Sequence, residues 1–183
     1  METSVSSTLE ALQVGRKAPV FSTDALMPDG SFKKLNLSDF KGKWVVLFFY
    51  PLDFTFVCPT EIRSFNQQLA QFNQAGAEVL SASTDSVFSH KAWVANGLGA
   101  VKFPMLADTN HELSKAYGVL IKEKGIALRG TFLIDPAGVL KSAVVNDLPV
   151  GRSVEETLRT LKALQTGELT GCDWKPGEKT LGK

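Results

Sequence analysis

The chain has 183 residues, a hydrophobic fraction of 44%, a charged fraction of 21% and a formal net charge of +1. This size and composition are typical of one soluble globular domain with a sizeable core. The balance of acidic and basic side chains gives no reason to expect nucleic acid or an anionic membrane as a partner. No apolar run reaches the roughly 18 residues that a membrane helix requires.

The chain carries two cysteines, Cys58 and Cys172, which are too few and too distant for a disulfide scaffold. The first residues have no continuous apolar core after a basic start, so the sequence does not predict a secretory signal. We therefore expect a cytoplasmic location, although a cleaved organelle import sequence remains an alternative. Thiols are normally reduced there, and a bond between the two cysteines would be transient and catalytic.

The first half of the chain predicts a hairpin, a buried strand and an amphipathic helix. Residues 1–13 are expected to form a flexible extension. Residues 19–37 predict a hairpin around the Pro-Asp-Gly turn at 28–30, and the apolar run 44–50 is typical of a strand buried on both faces. From Thr60 the apolar residues recur at spacings of three and four, which predicts a helix that stops near Gly76.

The second half continues the alternation of strands and helices. We predict a strand at 77–83 parallel to the first buried strand, short helices near 89–96 and 111–117, and a hairpin over 131–146. A last helix opens with a capping box from Ser153 to Glu156. This order favours an α/β sandwich, a mixed sheet with helices on both faces. We expect the domain to span residues 14–167 and a tail without regular structure to span residues 168–183.

The position of Cys58 favours a reactive thiol over a packed one. It lies where the apolar strand ends and the amphipathic helix begins. The positive end of a helix dipole favours the thiolate, which is the nucleophilic form of cysteine. Pro59 suits the first turn of that helix. The alternative is that Cys58 is an inert small hydrophobic residue of the core.

The segment FFYPLDFTFVCPTEI, residues 48–62, resembles the active-site signature of the typical two-cysteine peroxiredoxins, the family that includes alkyl hydroperoxide reductase and thiol-specific antioxidant proteins. Three later segments resemble the same family in the same order: DSVFSHKAWVANGLG, RGTFLIDPAGVLKSAVVNDLPVGRSVEETLR and GCDWKPG. Together they cover most of residues 14–180. The resemblance implies a thioredoxin-like three-layer sandwich with a central mixed sheet and an N-terminal hairpin. It also implies an antioxidant thiol peroxidase.

The resemblance assigns roles to the residues around the thiol. Cys58 would be the peroxidatic nucleophile that becomes a sulfenic acid. Thr55 would place its hydroxyl beside the thiolate and the peroxide, although it could also cap the helix. Pro51 would shield the site and fix the path of the loop, although it could simply terminate the strand.

Arg129 matches the distant arginine of the family, and it would favour the thiolate by Coulomb attraction and donate hydrogen bonds to the peroxide. Without the resemblance, an arginine at the start of a strand is more often a solvated surface group. Glu61 and Arg152 would orient Arg129. They could equally be a carboxylate that complements the helix dipole and a surface arginine.

The resemblance makes Cys172 the resolving cysteine, which would form a disulfide with Cys58 of a partner subunit. An accidental surface thiol is the alternative. Thioredoxin or a dedicated flavoprotein disulfide reductase would then restore the thiols by exchange. The resemblance further implies a homodimer formed through the strand VLKSAVVN, with dimers assembling into a decamer.

The resemblance implies no metal, haem or flavin in this chain. His90 and His111 lack partners at ligand spacing, and we expect them to be capping or surface residues. A thiol-disulfide oxidoreductase is a rival function, but it would need a C-x-x-C motif, and Glu61 occupies the position three residues after Cys58. A holdase or structural ring is a further role that the same fold could add.

Overall fold

The computed structural model describes residues 12–183, so most of the predicted extension, residues 1–11, lies outside the described residues. The strands are β1 (Ser22–Leu26), β2 (Phe32–Asn36), β3 (Trp44–Phe49), β4 (Ala77–Ser83), β5 (Met105–Ala107), β6 (Leu120–Ile121), β7 (Ile126–Ala127), β8 (Arg129–Ile134) and β9 (Leu140–Asn146). The α-helices are α1 (Cys58–Gln74), α2 (Val87–Trp93), α3 (Glu112–Ala116) and α4 (Val154–Gln165). A 3-10 turn spans Leu37–Phe40, and a π-type turn spans Val94–Leu98.

A central sheet of seven strands runs in the order β2-β1-β5-β4-β3-β8-β9. Strands β3, β4 and β5 are parallel, and the other pairings are antiparallel. The two predicted hairpins and the parallel pairing of the first two buried strands are confirmed. The sheet is therefore mixed, as the sequence predicts.

The pleat of β3 divides the core into two layers, because successive side chains of a strand point to opposite faces of the sheet. Val46 and Phe48 belong to one cluster, which the apolar faces of α1 and α4 cover. Leu47 and Phe49 belong to the other cluster, which includes residues of α3 and β8. This places helices on both faces, and the predicted α/β sandwich is confirmed.

Helix α1 carries the predicted apolar stripe, and its buried residues include Ile62, Phe65, Leu69 and Phe72. The ring of Phe65 stacks on Phe48 with 4.1 Å between the ring centroids. The helix ends just before Gly76, whose φ of +65° lies in the left-handed region that favours glycine after a helix.

Two details differ from the sequence predictions. A short hairpin, β6–β7, was not predicted, because its two-residue strands are too short to show a period. At the start of α4, Ser153 accepts a hydrogen bond from the Glu156 N–H, as in a capping box. The Glu156 carboxylate, however, binds Arg159, so the reciprocal half of the predicted box is wrong.

No helix within residues 12–183 is both long and apolar enough to cross a lipid bilayer.

The sheet topology brings Cys58 and Arg129 together. Because β3 and β8 are antiparallel, the last residues of β3 lie beside the first residues of β8. The start of α1 follows the same end of β3, so Cys58 and Arg129 meet at one edge of the sheet.

Candidate active site

Cys58 is the first residue of α1, and its side chain is fully buried. The N–H groups of Thr60 and Glu61 donate to the carbonyl of Val57 at 3.0 and 3.3 Å, which forms the first turn. Pro59 lies in this turn, where its missing N–H removes no helical hydrogen bond. The positive end of the helix dipole therefore lies at the thiol, as the sequence predicts.

Arg129, the first residue of β8, is also buried and reaches the thiol. Its Nη1 lies 3.5 Å from Cys58 Sγ, and the same nitrogen donates to Glu61 Oε2 at 2.7 Å. Its Nε donates to the carbonyl of Leu148 at 2.7 Å, which fixes the guanidinium from the opposite side. The alternative of a solvated surface arginine is therefore wrong.

Glu61 binds both arginines of the site with one buried carboxylate. Oε1 accepts from the backbone N–H and the Nε of Arg152 at 3.1 and 2.8 Å. Oε2 accepts from Arg129 Nη1 at 2.7 Å and from Arg152 Nη2 at 3.2 Å. Glu61 lies one turn after Cys58, so the helix itself holds the carboxylate near the thiol. The predicted pairing of Glu61 and Arg152 with Arg129 is thus present in the structure.

Arg152 ties the site to the sheet. Its Nη1 donates to the Gly130 carbonyl at 2.8 Å and to Thr131 Oγ1 at 3.1 Å, and its Nη2 donates to the Phe49 carbonyl at 2.5 Å. Burial lowers the pKa of the Arg152 guanidinium, and its bonds with Glu61 oppose that shift. With Arg129 beside it, the cluster holds two guanidinium groups against one carboxylate, which leaves positive charge next to the thiol.

The loop before α1 holds Pro51 and Thr55. Pro51 is buried just beyond the end of β3. The Thr55 hydroxyl donates to the Leu52 carbonyl at 2.9 Å, and among the hydrogen bonds of residues 12–183 none joins it to Cys58. Val57 is the N-cap residue and makes no side-chain cap bond, so the alternative in which Thr55 caps the helix is wrong.

Cys172 lies in the tail after α4, and its side chain is exposed. Both cysteines are free thiols in this structure. The two sulfurs thus occupy opposite environments, since Cys58 is enclosed by the core and Cys172 faces solvent.

The sequence analysis missed a buried polar network that joins the loop before α1 to helix α2. His90 is fully buried, so the expectation that it caps a helix or lies on the surface is wrong. Its Nδ1 lies 2.9 Å from Asp53 Oδ2, and its Nε2 lies 3.2 Å from the Leu106 carbonyl. The hydroxyls of Tyr50 and Ser89 donate to the Asp53 carboxylate at 2.8 and 2.7 Å.

This network fixes the loop by its backbone as well. The N–H of Asp53 donates to Asp85 Oδ2 at 2.9 Å, and Ser83 Oγ donates to the same oxygen at 2.8 Å. Burial, and next the charge of Asp53, raise the pKa of the Asp85 carboxyl. Both His90 nitrogens lie within hydrogen-bond distance of oxygen atoms, so the ring joins Asp53 to the backbone of β5. The only sequence signal was a histidine on the buried face of a short helix.

Within residues 12–183 no group of three or more His, Cys, Asp or Glu side chains is placed to hold a metal ion. The site instead combines a thiol at a helix start, a guanidinium in contact with it and a carboxylate that orients the guanidinium. Such an arrangement suits nucleophilic attack by sulfur on a small electrophile that accepts hydrogen bonds.

Residues 14–143 match the AhpC/TSA family. The chain is 52% identical over 180 residues to a thioredoxin peroxidase of Echinococcus granulosus, covering 93% of both chains. It is 50% identical to a putative peroxiredoxin in the rubredoxin operon of Clostridium pasteurianum, covering 92% of this chain and 98% of the relative. The structure superposes on a reduced 2-Cys peroxiredoxin of Plasmodium vivax with a TM-score of 0.89 and 39% identity over 92% of both chains.

The chain belongs to the AhpC/TSA family. The predicted resemblance to the two-cysteine peroxiredoxins and the thioredoxin-like fold are confirmed. The chain is therefore an enzyme, a thiol-dependent peroxidase. The family explains why the fold buries a cysteine beside an arginine, which a purely structural role would not require.

The first testable prediction concerns the contribution of the Glu61 carboxylate to stability. We expect Glu61→Gln to lower the free energy of unfolding by about 3–5 kcal/mol, because a neutral amide leaves two buried guanidinium groups without their counter-charge. Urea unfolding followed by circular dichroism measures this loss. The matched control is Glu78→Gln, which breaks the exposed pair with Lys43 and should cost about 0–1 kcal/mol. Equal losses in the two variants would contradict a central role for Glu61.

The raised pKa of Asp85 predicts a pH dependence of stability. Below the pKa of the unfolded carboxyl, both states are protonated and the shift has no effect. As the pH rises through the unfolded and then the folded pKa, the unfolded state ionises more readily, and the folded state loses stability. Asp85→Asn removes this titration but keeps an oxygen that can accept from Asp53 and Ser83.

We therefore expect Asp85→Asn to gain stability relative to the wild type as the pH rises from about 4 to 7. Urea unfolding of both proteins at several pH values gives the difference at each pH. The control is Asp24→Asn on the hairpin strand β1. A difference between Asp85→Asn and the wild type that stays constant across this range would contradict the assigned shift.

Proposed function

We propose that Cys58 is the peroxidatic cysteine and reduces hydrogen peroxide and small organic hydroperoxides. The observation that carries this proposal is the 3.5 Å contact between Arg129 Nη1 and Cys58 Sγ inside a buried site. A guanidinium this close favours the thiolate by Coulomb attraction. The two remaining bonds of Arg129, to Glu61 and Leu148, hold the guanidinium in place before any substrate binds.

The chemical step is a displacement at oxygen. The Cys58 thiolate attacks the nearer oxygen of the hydroperoxide, a sulfur–oxygen bond forms and the O–O bond breaks. Sulfur is oxidised to the sulfenic acid, and the peroxide is reduced. The departing oxygen takes up a proton and leaves as water or alcohol. No metal, haem or flavin enters this step.

Several groups would bind the peroxide and the departing oxygen. Arg129 donates hydrogen bonds to the peroxide oxygens, and backbone N–H groups at the start of α1 stabilise the charge that develops as the O–O bond stretches. In this proposal the Thr55 hydroxyl turns from the Leu52 carbonyl toward the peroxide. Pro51 shields the thiol, and Glu61 and Arg152 act by orienting Arg129.

Cys172 would complete the cycle as the resolving cysteine. Its thiolate attacks the sulfur of the Cys58 sulfenic acid on a partner subunit, which forms an intersubunit disulfide and releases hydroxide. Because Cys58 is fully buried, the start of α1 must open before the two sulfurs can meet. Thioredoxin or a dedicated flavoprotein disulfide reductase then returns both residues to thiols by exchange. A cytoplasmic location suits this step, because that compartment supplies reduced partners.

Exposed apolar side chains support a homodimer and a ring of dimers. Strand β9 is an edge strand, and Val144 and Val145 on it are 53% and 47% exposed. A second copy paired along β9 would cover this edge. Phe56 and Phe88 are 94% and 71% exposed next to the active-site loop, and their burial between dimers would support a decamer.

The two cysteines give the experiment that tests the proposal. Reduced protein is mixed with one equivalent of hydrogen peroxide and run on a non-reducing gel beside Cys58→Ser and Cys172→Ser. We expect a covalent dimer in the wild type only, and peroxide consumption in the wild type and Cys172→Ser but not in Cys58→Ser. A Cys58→Ser variant that still consumed peroxide would overturn the proposal. A wild type that consumed peroxide but stayed monomeric on the gel would overturn the intersubunit role of Cys172.

Arg129 should contribute far more to the rate than an arginine of α1 that does not contact the thiol. We expect Arg129→Met to lower the second-order rate constant for peroxide by about 100- to 1000-fold, the usual cost of losing a donor to a developing oxyanion. Stopped-flow competition for hydrogen peroxide measures it. The control is Arg63→Met on α1, since Arg63 donates to the carbonyls of Gly97 and Leu98 and does not contact the thiol. A similar rate for both variants would rule out the role given to Arg129.

A further inference from the structure

A pocket of about 290 Å³, which we call the basal pocket, lies at the end of the sheet opposite the active site. Its floor includes Val45 and Ile134, which pair across β3 and β8 and are each 1% exposed. Val45 lies near the start of β3, whereas Cys58 follows the end of that strand. The volume is close to the lower limit of cavities that hold small molecules, which measure about 300–1,000 Å³.

Three segments form the walls of the basal pocket: residues 17–21 before β1, residues 37–43 before β3 and residues 134–138 at the end of β8. Each pair of walls is joined by one backbone hydrogen bond: Leu37 N–H to the Phe21 carbonyl at 3.2 Å, Gly42 N–H to the Pro136 carbonyl at 3.1 Å and Ala18 N–H to the Gly138 carbonyl at 2.9 Å. These three bonds close a ring around the pocket. Walls that are already fastened to each other need little ordering when a ligand binds, so the basal pocket is preformed.

The inner surface of the basal pocket is largely apolar. Leu37 and Phe40 line it and pack against the same buried cluster as Val45 and Ile134. At the mouth, Val20 also lines the pocket and is 84% exposed. A ligand with an apolar body would remove this surface from water, which is favourable.

The rim of the basal pocket is positively charged. Lys17, Lys41 and Lys43 line it, and Asp135 is the one acidic residue among the lining residues. Three positive charges and one negative charge leave a net charge of +2 at the rim. The Asp135 carboxylate already accepts from two backbone N–H groups of its own turn, both at 2.9 Å. The rim therefore attracts an anion.

The three ammonium groups of the rim differ in the partners that they already have. Lys43 Nζ lies 2.6 Å from Glu78 Oε1, and Lys17 Nζ donates to the Ala137 carbonyl. Within residues 12–183, no hydrogen bond or ion pair engages the ammonium of Lys41. Lys41 can therefore turn to a bound anion without breaking a contact. Lys17 keeps further donors for the same anion, since an ammonium carries three N–H groups.

We propose that the basal pocket binds a small organic anion, with an alkyl or aryl body on the apolar floor and one carboxylate at the rim beside Lys41 and Lys17. A neutral apolar molecule would make no use of the charge at the rim, and an inorganic anion would leave the apolar floor uncovered. A cation would be repelled by the lysines. The pocket lies apart from Cys58, so this binding site is a further function of the fold and does not depend on the proposed peroxidase cycle.

Isothermal titration calorimetry of the reduced full chain with octanoate tests this assignment. We expect saturable binding of octanoate to the wild type. Octanol lacks the charge and acetate lacks the apolar body, so each should bind at least about fivefold more weakly. Lys41→Glu should weaken the binding of octanoate by about five- to tenfold, because a repulsion replaces an attraction. Lys41→Arg keeps the positive charge and should bind octanoate as the wild type does.

Two further variants test the location of the site. Ser38 is an exposed residue that lines the pocket, and the ring of Ser38→Phe should fill the mouth and abolish octanoate binding. Lys102→Glu is the matched control, because it makes the same change of charge at an exposed residue outside the pocket and should leave the affinity unchanged. Circular dichroism measures whether each variant keeps the fold.

Three outcomes would overturn the proposal: no saturable binding of octanoate to the wild type, octanoate that binds no more tightly than octanol, and an affinity that Lys41→Glu leaves unchanged. Binding that survives in a folded Ser38→Phe variant would place octanoate elsewhere and overturn it as well. Peroxide consumption by the same samples tests the proposed function separately, because Cys58 lies at the other end of the sheet.

Discussion

The carboxylate of Glu61 is the interaction on which the active site depends. It lies on α1 one turn after Cys58 and binds Arg129 from β8 and Arg152 from the segment before α4. Arg152 in turn donates to the last carbonyl of β3. A buried ion cluster costs desolvation energy for each charge, so it stabilises the fold only when every donor and acceptor is satisfied. No buried side-chain nitrogen or oxygen within residues 12–183 lacks a hydrogen-bond partner. The cluster thus joins α1, β8 and the segment before α4, and it also leaves an excess of positive charge beside the thiol. A substitution in it therefore changes both the stability of the fold and the charge at Cys58.

The loop that leads to Cys58 is held from two sides. On one side, Arg129 and Glu61 hold the start of α1, and on the other, the network of Tyr50, Asp53 and His90 holds the loop. Between these anchors, Phe54 adopts a φ of +56°, which is unfavourable for an aromatic residue by about 1–3 kcal/mol. This strain lowers the free energy that is needed to open the loop at Phe54. In the proposed cycle, opening of this loop would release the Cys58 sulfur after oxidation.

Much of this arrangement could be predicted from the sequence, and the exceptions have physical reasons. The stripe from Ile62 to Phe72 has a strong period and the buried strands are continuous apolar runs, so α1, β3 and β4 were predicted to within a few residues. Arg129 was assigned to the site by resemblance, since nothing local distinguishes a buried arginine from an exposed one. His90 was wrongly expected at the surface, because its burial depends on Asp53 in a distant loop and on a carbonyl of β5. The burial of Trp174 in the tail escaped prediction for a similar reason, since Arg159 of the preceding helix donates to its carbonyl. An apolar stripe repeats along the sequence and can be recognised there. A contact between two residues that lie far apart in the chain leaves no such pattern.

The two cysteines lie in opposite environments, and the proposed disulfide requires the buried one to be uncovered. Cys58 is enclosed by the core and gains its reactivity from groups that surround it, so exposing it disrupts those groups. Cys172 is exposed, in a segment where Arg159 donates to the Trp174 carbonyl and the Trp174 indole donates to the Glu178 carbonyl. Opening the start of α1 would uncover the Cys58 sulfur, and if the preceding loop opens with it, the left-handed conformation of Phe54 is no longer imposed. In the proposed cycle the start of α1 must therefore open before the Cys58 sulfur can meet a second thiol, and this opening breaks the contact of Cys58 with Arg129.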